Sequence, residues 1–379
     1  MKPLEIAYVS SYSYASGAAN NTRTNGVIRS LELAGHRVRQ MGGDSDGLRP
    51  TGWMRKTIAK IPALRTLGMG SDVSSWLSGL NPTPDVVFVY GADPRFLRPA
   101  RRWARSRKIP IVVEVVDWYE IRDGVNLGQK FFIGLTNLWS MPREAARCDA
   151  AVVASTALED YFRDRGLVCL RIPAIMDTIS PTHLGSQPRA GALSLIYAGT
   201  PGRRDRKTLE NIDRLTDSSA MAGLNIEIDV IGVESPEEPA RRNDSTVKVR
   251  YHGRVPRETV LALTSGADFT VLQRDPARRF ARTGFPSKIA ESLLLGTPVL
   301  SNLSSDLREF LRDEENAIVL ASDSYDSLVD GVVRAAQWMD SVEPDRQKIA
   351  ADSRGVFSPD AYVEALSELL GFVVEGGKK

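Results

Sequence analysis

Cysteine and histidine are both scarce in this chain of 379 residues, which holds two of the first and three of the second. Cys148 and Cys169 stand in no metal or redox spacing. Both lie beside apolar runs, so buried free thiols are expected and nothing requires an oxidising compartment. His36, His183 and His252 have no ligand spacing either, and His36 follows Gly35 at a turn into a strand. No apolar run reaches the ~20 residues that span a bilayer. The chain opens directly on the strand-like Leu4-Glu5-Ile6-Ala7-Tyr8-Val9 without a leader pattern, so the expected location is the cytoplasm. A Gly-x-Gly-x-x-Gly fingerprint is missing, which argues against hydride transfer, and no short repeat or low-complexity segment stands out.

What is present is ordinary in amount and uneven in placement. Apolar and charged fractions of 42% and 25% are those of a globular protein, and the length predicts two domains. The net charge is only +2, yet residues 1–180 hold 24 Lys and Arg against 17 Asp and Glu, a net +7. The remainder holds 25 against 30, a net −5. The amino-terminal half is thus the one suited to an anionic surface, and nothing points to nucleic acid.

Short β-branched runs alternate with helical patterns. Strands are predicted at 4–10, 36–41, 85–90, 111–116 and 149–154, with helices near 20–34, 94–107, 129–147 and 156–165. The scheme repeats with strands at 193–198, 226–231, 247–252, 268–272, 297–301 and 316–320. Its helices fall near 206–216, 256–264, 286–295, 305–312, 324–340 and 358–373. Near-continuous apolar strands between helices predict an α/β fold of parallel sheets covered on both faces. The stretch 181–191 is rich in Pro, Gly and Ser and reads as a linker. It separates a doubly wound domain at 1–180 from another at 192–356, with ligands expected outside the carboxyl ends of the strands and in a cleft between the domains.

The most informative stretch runs from Gly284 to Leu300 and reads as a loop, a short helix and a buried strand. Pro286 suits the first helical turn and Gly296 the left-handed residue after the last. Lys288 and Glu291 are three apart and share a face. Beside them the unpaired amides of the first turn, from Ser287-Lys288 onward after Pro286, form an anion site. A cation, a carboxylate and a helix N-terminus fit a sugar nucleotide: Lys288 and the amides for the diphosphate, Glu291 for ribose hydroxyls. As a solvent ion pair the same two residues would contribute only a few tenths of a kcal/mol. A second cluster follows the first strand of the second half, Gly199-Thr200-Pro201-Gly202-Arg203-Arg204-Asp205-Arg206-Lys207. Its glycines allow close backbone approach, and four cations on one turn either splay into water or meet an anion.

These motifs resemble retaining glycosyltransferases of the GT-B fold, family 4, of the bacterial polysaccharide or cell-envelope type. The resemblance is strongest at 284–300 and next at 197–207. It implies two Rossmann-like domains facing a cleft, with the segment 357–379 forming a helix that crosses back onto the amino-terminal domain. It implies that Arg204, seconded by Lys207, clamps the donor pyrophosphate behind the Gly199–Thr200 loop, a guanidinium being suited to two-pronged contact. Main-chain groups of Arg254 and Val255 would hold the nucleotide base. Gly17, in the small-residue loop after the first strand, would lie against diphosphate and acceptor. Asp117, with Glu114 behind it, would contact sugar or acceptor at the end of the fourth strand, where Glu120 adds a third acid; a capped strand end is the plain reading of the same acids. The family's signature has two glutamates separated by seven residues; the second is Glu291, and Thr283 stands where the first would be.

The implied reaction moves a sugar from a nucleoside diphosphate sugar, of UDP or GDP type, to a hydroxyl on a glycan or lipid-linked acceptor. Arg204, Lys288 and the helix N-terminus would stabilise charge on the leaving diphosphate, with no metal and no cofactor beyond the donor itself. Asp44-Ser45-Asp46 matches an Asp-x-Asp metal motif only superficially. A sugar-nucleotide epimerase or hydrolase on the same architecture, and a catalytically silent sugar-nucleotide-binding subunit, stay open as alternatives. The basic and apolar segments 49–70 and 98–108 predict peripheral contact with an anionic membrane at its inner face, against the plainer reading of helices packed on their own domain.

Overall fold

The computed structural model describes residues 2–10, 19–41, 53–61, 72–176, 191–199, 206–234 and 246–376. The chain divides into two compact units, one of residues 1–177, 282–285 and 358–379, the other of 178–281 and 286–357. Residues 282–285, expected inside the second domain, thus belong with the first. The linker at 181–190 lies outside the described residues.

In the first unit six parallel strands run in the order β2-β1-β3-β4-β5-β6. They are β1 (Glu5–Val9), β2 (Arg37–Gln40), β3 (Val86–Tyr90), β4 (Ile111–Val115), β5 (Ala150–Val153) and β6 (Val168–Arg171). The described crossovers are α1 (Ala19–Leu33), α2 (Trp53–Ala59), α3 (Val73–Ser78), α4 (Pro94–Arg107), α5 (Leu127–Leu135) and α6 (Thr156–Arg163). Strand residues alternate between two cores: Ala7 and Val9 of β1 join one, Ile6 and Tyr8 the other. The second of these cores also takes Leu366, Leu369, Leu370 and Val373 from the terminal helix Val363–Gly376.

The second unit has β7 (Leu193–Ala198), β8 (Ile226–Ile231), β9 (Val247–Gly253), β10 (Phe269–Leu272), β11 (Val299–Asn302) and β12 (Ala317–Leu320). Their order is β12-β11-β10-β7-β8-β9, again all parallel. Its helices continue as α7 (Arg206–Leu215), α8 (Arg257–Ser265), α9 (Arg279–Thr283, its last two residues counted with the first unit), α10 (Ser287–Leu294), α11 (Tyr325–Ser341) and α12 (Arg346–Phe357), so that the terminal Val363–Gly376 helix of the first unit is α13. Numbered from β7, this is the doubly wound order 3-2-1-4-5-6, whose direction reverses between β7 and β10.

Some local expectations change. The edge strand β6 was too short and polar to stand out, and α12 carries no clean apolar stripe. The helix expected at 305–312 is a single tight turn at Leu307–Glu309. The helix expected over 129–147 is α-helical only to Leu135; Thr136–Glu144 widens into π-helical turns around Pro142, whose missing N–H and ring bulk disfavour the regular ladder.

Candidate active site

In the second unit the direction reversal places the carboxyl ends of β7 and β10 where doubly wound sheets take their ligands. β7 ends at Ala198, and Gly199 follows, its amide donating to the Ile231 carbonyl at 3.1 Å. The crossover from β10 to β11 contains α10. Its carboxyl end is closed as expected: Gly296 takes φ 78°, its amide reaches the Leu293 carbonyl at 3.0 Å, and the Thr297 amide reaches that of Ser292 at 2.9 Å. This is a Schellman closure. Pro286 sits one place earlier than expected, at the N-cap with φ −74°, and α10 proper begins at Ser287.

From the first turn of α10, Lys288 extends over the end of β7. Its Nζ donates to Tyr197 Oη at 3.1 Å and stands 4.3 Å from the centroid of the same ring. A Cβ built on Gly199 would come within 2.3 Å of that ammonium. The cation thus occupies the space that a side chain at position 199 would take, and the structure brings Gly199 and Lys288 together at the reversal point. Glu291, one turn along, receives the Arg257 guanidinium at 2.9 Å. Arg257 opens α8, directly after the turn carrying Arg254 and Val255.

That turn is fixed from two sides. Gly253 takes φ 60° and lies against the Glu234 carboxylate, 3.0 Å from where its Cβ would be. The amides of Gly232 and Gly253 donate to the carbonyls of Gly253 and Val233. Arg254 is exposed, while Val255 packs on Ile196, Ile231 and Ala267. Just before, His252 Nε2 is 2.7 Å from the buried Asp229 carboxylate.

The start of α7 is pinned to the end of β10 through Gln273. Its amide donates to Thr208 Oγ1 at 3.0 Å, its Oε1 accepts from Asn211 Nδ2 at 2.9 Å, and its Nε2 donates to the Ser324 carbonyl at 2.9 Å. Lys207 has a partner of its own: its Nζ donates to Asp323 at 2.6 Å. Thr200 and Arg204 lie outside the described residues, as does Gly17 in the first unit. The Asp44–Asp46 pair lies outside them too. Among the described residues no group of three or more His, Cys, Asp or Glu side chains could hold a metal ion.

The acids at the end of β4 part company. Glu114 does not face a cleft: it is fully buried, with Arg23 Nε at 2.6 Å and the Tyr8 hydroxyl donating to its other oxygen. The physical reason is that both faces of this parallel sheet are covered, so all five β4 residues are interior. Burial and the Glu114 carboxylate push the Tyr8 hydroxyl well above its usual range. Asp117, half-buried, accepts from Tyr119 Oη at 2.5 Å. Glu120 closes the turn before Ile121, where its amide meets Asp123 at 2.8 Å. Thr283 belongs to this neighbourhood: its Oγ1 accepts from the Trp118 amide at 3.1 Å and its carbonyl from Ser155 Oγ at 2.8 Å.

A hollow of about 540 Å³ opens at the opposite, amino-terminal end of the first unit's sheet, beside Thr83, Asp85, Lys108 and Val374. Its place is the wrong one for a ligand of a doubly wound sheet.

Residues 196–337, which hold the β7 loop and α10, match the family model described as Glycosyl transferases group 1. The second unit carries a glycosyltransferase domain. The chain is accordingly a glycosyltransferase. No curated protein sequence matches the chain. Three solved structures define the fold of the glycosyltransferase as GT-B. Sucrose-phosphate synthase from Thermosynechococcus elongatus is 14% identical, with 97% of this chain and 98% of that one aligned at a TM-score of 0.65. HepE of Anabaena, in complex with UDP and glucose, is 13% identical over 97% and 99% at 0.65. The lipopolysaccharide outer core galactosyltransferase WaaB is 12% identical over 97% and 99% at 0.60. At such identities the likeness establishes the fold alone.

Arg257, Gln273 and Asp323 escaped the sequence reading of this glycosyltransferase, and Tyr197 entered it only as the first residue of the 197–207 stretch, without a role. Arg257 had one available signal, its place three residues after Arg254, at the first position of the helix that follows the turn. Tyr197 had another, an aromatic residue two positions before the glycine loop.

Proposed function

We propose that the glycosyltransferase moves a sugar from a nucleoside diphosphate sugar to a hydroxyl of a glycan or lipid-linked cell-envelope acceptor, with retention at the anomeric carbon. The observation that carries this reading is the Lys288 ammonium lying over Gly199 at the carboxyl end of β7. A diphosphate seated there meets the cation, the first amides of α10 and a backbone without a side chain in the way. As the glycosidic bond breaks, negative charge grows on the departing diphosphate, and a positioned cation stabilises it where it forms. Arg204 and Lys207 supply further positive charge, Lys207 by exchanging Asp323 for phosphate. Glu291, held by Arg257, accepts from ribose hydroxyls, and Arg254 with Val255 borders the base. HepE structures contain UDP and UDP-glucose, which favours a UDP donor. Same-face attack, with the donor phosphate taking the acceptor proton, needs neither a metal nor a separate base, and Asp117 orients the acceptor side. The basic helix α4 suits work at the inner face of an anionic membrane.

Calorimetric titration with UDP, GDP and their sugars tests the reading. UDP or GDP is expected to bind wild type, and Lys288→Ala and Glu291→Ala to weaken it by about tenfold to a hundredfold, the worth of a charge-assisted bond. Unchanged affinity in both variants would refute the site. Retention is read by NMR of the product anomer.

A further inference from the structure

Segment 121–144 of the first unit turns a row of large apolar side chains to solvent. Ile121 is 49% exposed, Val125 72%, Leu127 63%, Phe131 53% and Leu138 75%. Leu127, Phe131 and Leu138 fall at i, i+4 and i+11 of the continuous α5–π helix, one face of it. The missing i+7 position is Gly134, and Ile121 Cδ1 lies 3.8 Å from where a Cβ there would stand, so Ile121 fills the gap. The result is an unbroken apolar ridge.

One position around the helix, the ridge is edged with positive charge. Phe132 carries the Arg95 guanidinium 4.1 Å from its centroid, and Trp139 carries that of Arg98 at 4.7 Å. Both arginines come from α4, which with Lys108 holds seven cations and no acid. Arg122 and Arg143 on the ridge segment are exposed as well. Of the acids nearby, Asp93 is paired with Arg95, Glu120 with Arg122 and Glu144 with Arg101, while Asp117 and Asp123 accept local hydrogen bonds; the exposed Arg102, Arg105, Arg107, Lys108 and Arg143 leave the surface net positive.

We infer that this ridge docks on an anionic lipid bilayer, lying in the interface plane with Leu127, Phe131 and Leu138 dipping below the headgroups and the α4 arginines against them. Charge complementarity selects this occupant: an apolar centre with a net cationic rim matches acyl chains beneath anionic headgroups. No described helix is long and apolar enough to cross the bilayer, so the helix rests on it. The inference rests on the membrane reading given with the proposed function and adds the apolar ridge to it; it concerns neither α10 nor the β7 loop, so its failure leaves the sugar-transfer site untouched.

Co-sedimentation of the full chain with vesicles tests it. Wild type should partition onto phosphatidylglycerol–phosphatidylcholine vesicles, weakly onto pure phosphatidylcholine, and less at 0.5 M salt, as screening of charge requires. The triple variant Leu127→Ser/Phe131→Ser/Leu138→Ser should lose about a hundredfold or more in partition coefficient while keeping its melting temperature, since its side chains leave no cavity. Arg98→Gln/Arg102→Gln should lose the preference for anionic vesicles but keep the weak neutral binding. Equal binding by wild type and the triple variant overturns the proposal. So does a wild type that is dimeric without lipid and monomeric as the triple variant, because the ridge would then be an interface between copies.

Discussion

Arg257 reaches Glu291 at 2.9 Å and so links the first turn of α8 to α10. The pair joins the turn that borders the proposed base site to the carboxylate proposed for the ribose. Arg257 acts through Glu291 and is a positioning residue. Arg257→Ala is expected to reduce UDP-sugar affinity about fivefold to tenfold, less than Glu291→Ala. Arg257→Lys should restore part of the loss, which a purely structural role would not require. Titration calorimetry on the three variants decides, and full affinity in Arg257→Ala would exclude the positioning role.

Gly199→Ala separates stability from binding. The added Cβ meets the ends of Lys288, Nζ at 2.3 Å and Cε at 2.4 Å, which are flexible and can move aside. The melting temperature should therefore change little. Diphosphate affinity should fall about tenfold or more, because the ammonium is displaced from its place beside Tyr197. A large drop in melting temperature would show that the glycine serves packing instead.

The buried Arg23–Glu114 pair should behave as a structural ion pair of the first unit. Arg23 also donates to the Pro173 carbonyl at 3.1 Å, so its loss strands Glu114 beside Tyr8 and frees a carbonyl. Arg23→Met is expected to cost about 3–5 kcal/mol, the usual result of leaving one buried charge without its partner. Urea unfolding measures it. The double variant Arg23→Met/Glu114→Gln should recover part of the loss.

Thr283→Glu tests the residue standing at the position of the family's first glutamate. Thr283 is 5% exposed and bonded to Trp118 and Ser155. A carboxylate placed there is desolvated and must displace the present packing, at a cost on the order of 2–4 kcal/mol. The variant should melt lower and transfer sugar no faster. A faster enzyme with unchanged melting would show that the site accepts the glutamate.

The cysteines yield a pH prediction. Burial raises Cys148, and Cys169 is pushed up to about 11 from 9.0. At pH 8 the thiolate fraction of Cys169 is then about a hundredfold below that of an ordinary thiol, and alkylation should be slowed to match. Unfolding in guanidinium should release both thiols to normal rates. The sign for stability follows: above about pH 9 the unfolded chain loses these protons while the folded one keeps them, so stability falls as pH rises toward 11. Rapid native-state alkylation at pH 8 would contradict the burial.

Strand positions were legible in the sequence wherever both faces of a strand are covered. Val86-Val87-Phe88-Val89-Tyr90 and Leu193-Ser194-Leu195-Ile196-Tyr197 are wholly buried and read as apolar runs. β6, partly open at the sheet edge, shows only Val-Cys-Leu-Arg and passed unseen. Pairing of Lys288 and Glu291 on one helix face was legible because helical period is a local property. The same locality made Glu114 misleading: a carboxylate near the end of a strand looks accessible until the crossover α1, which carries Arg23, is packed against it.

By itself, then, the chain determined its alternating elements, the closure of α10 at Gly296 and the choice of α/β architecture, since each depends on neighbours within a few residues. Tertiary structure alone decided the order of the strands and the partner of every important charge. Glu114 finds Arg23 across 91 positions, and Lys207 finds Asp323 across 116. Which opposite charge a buried or half-buried ion meets depends on where the crossovers bring distant segments together. No local period carries that information.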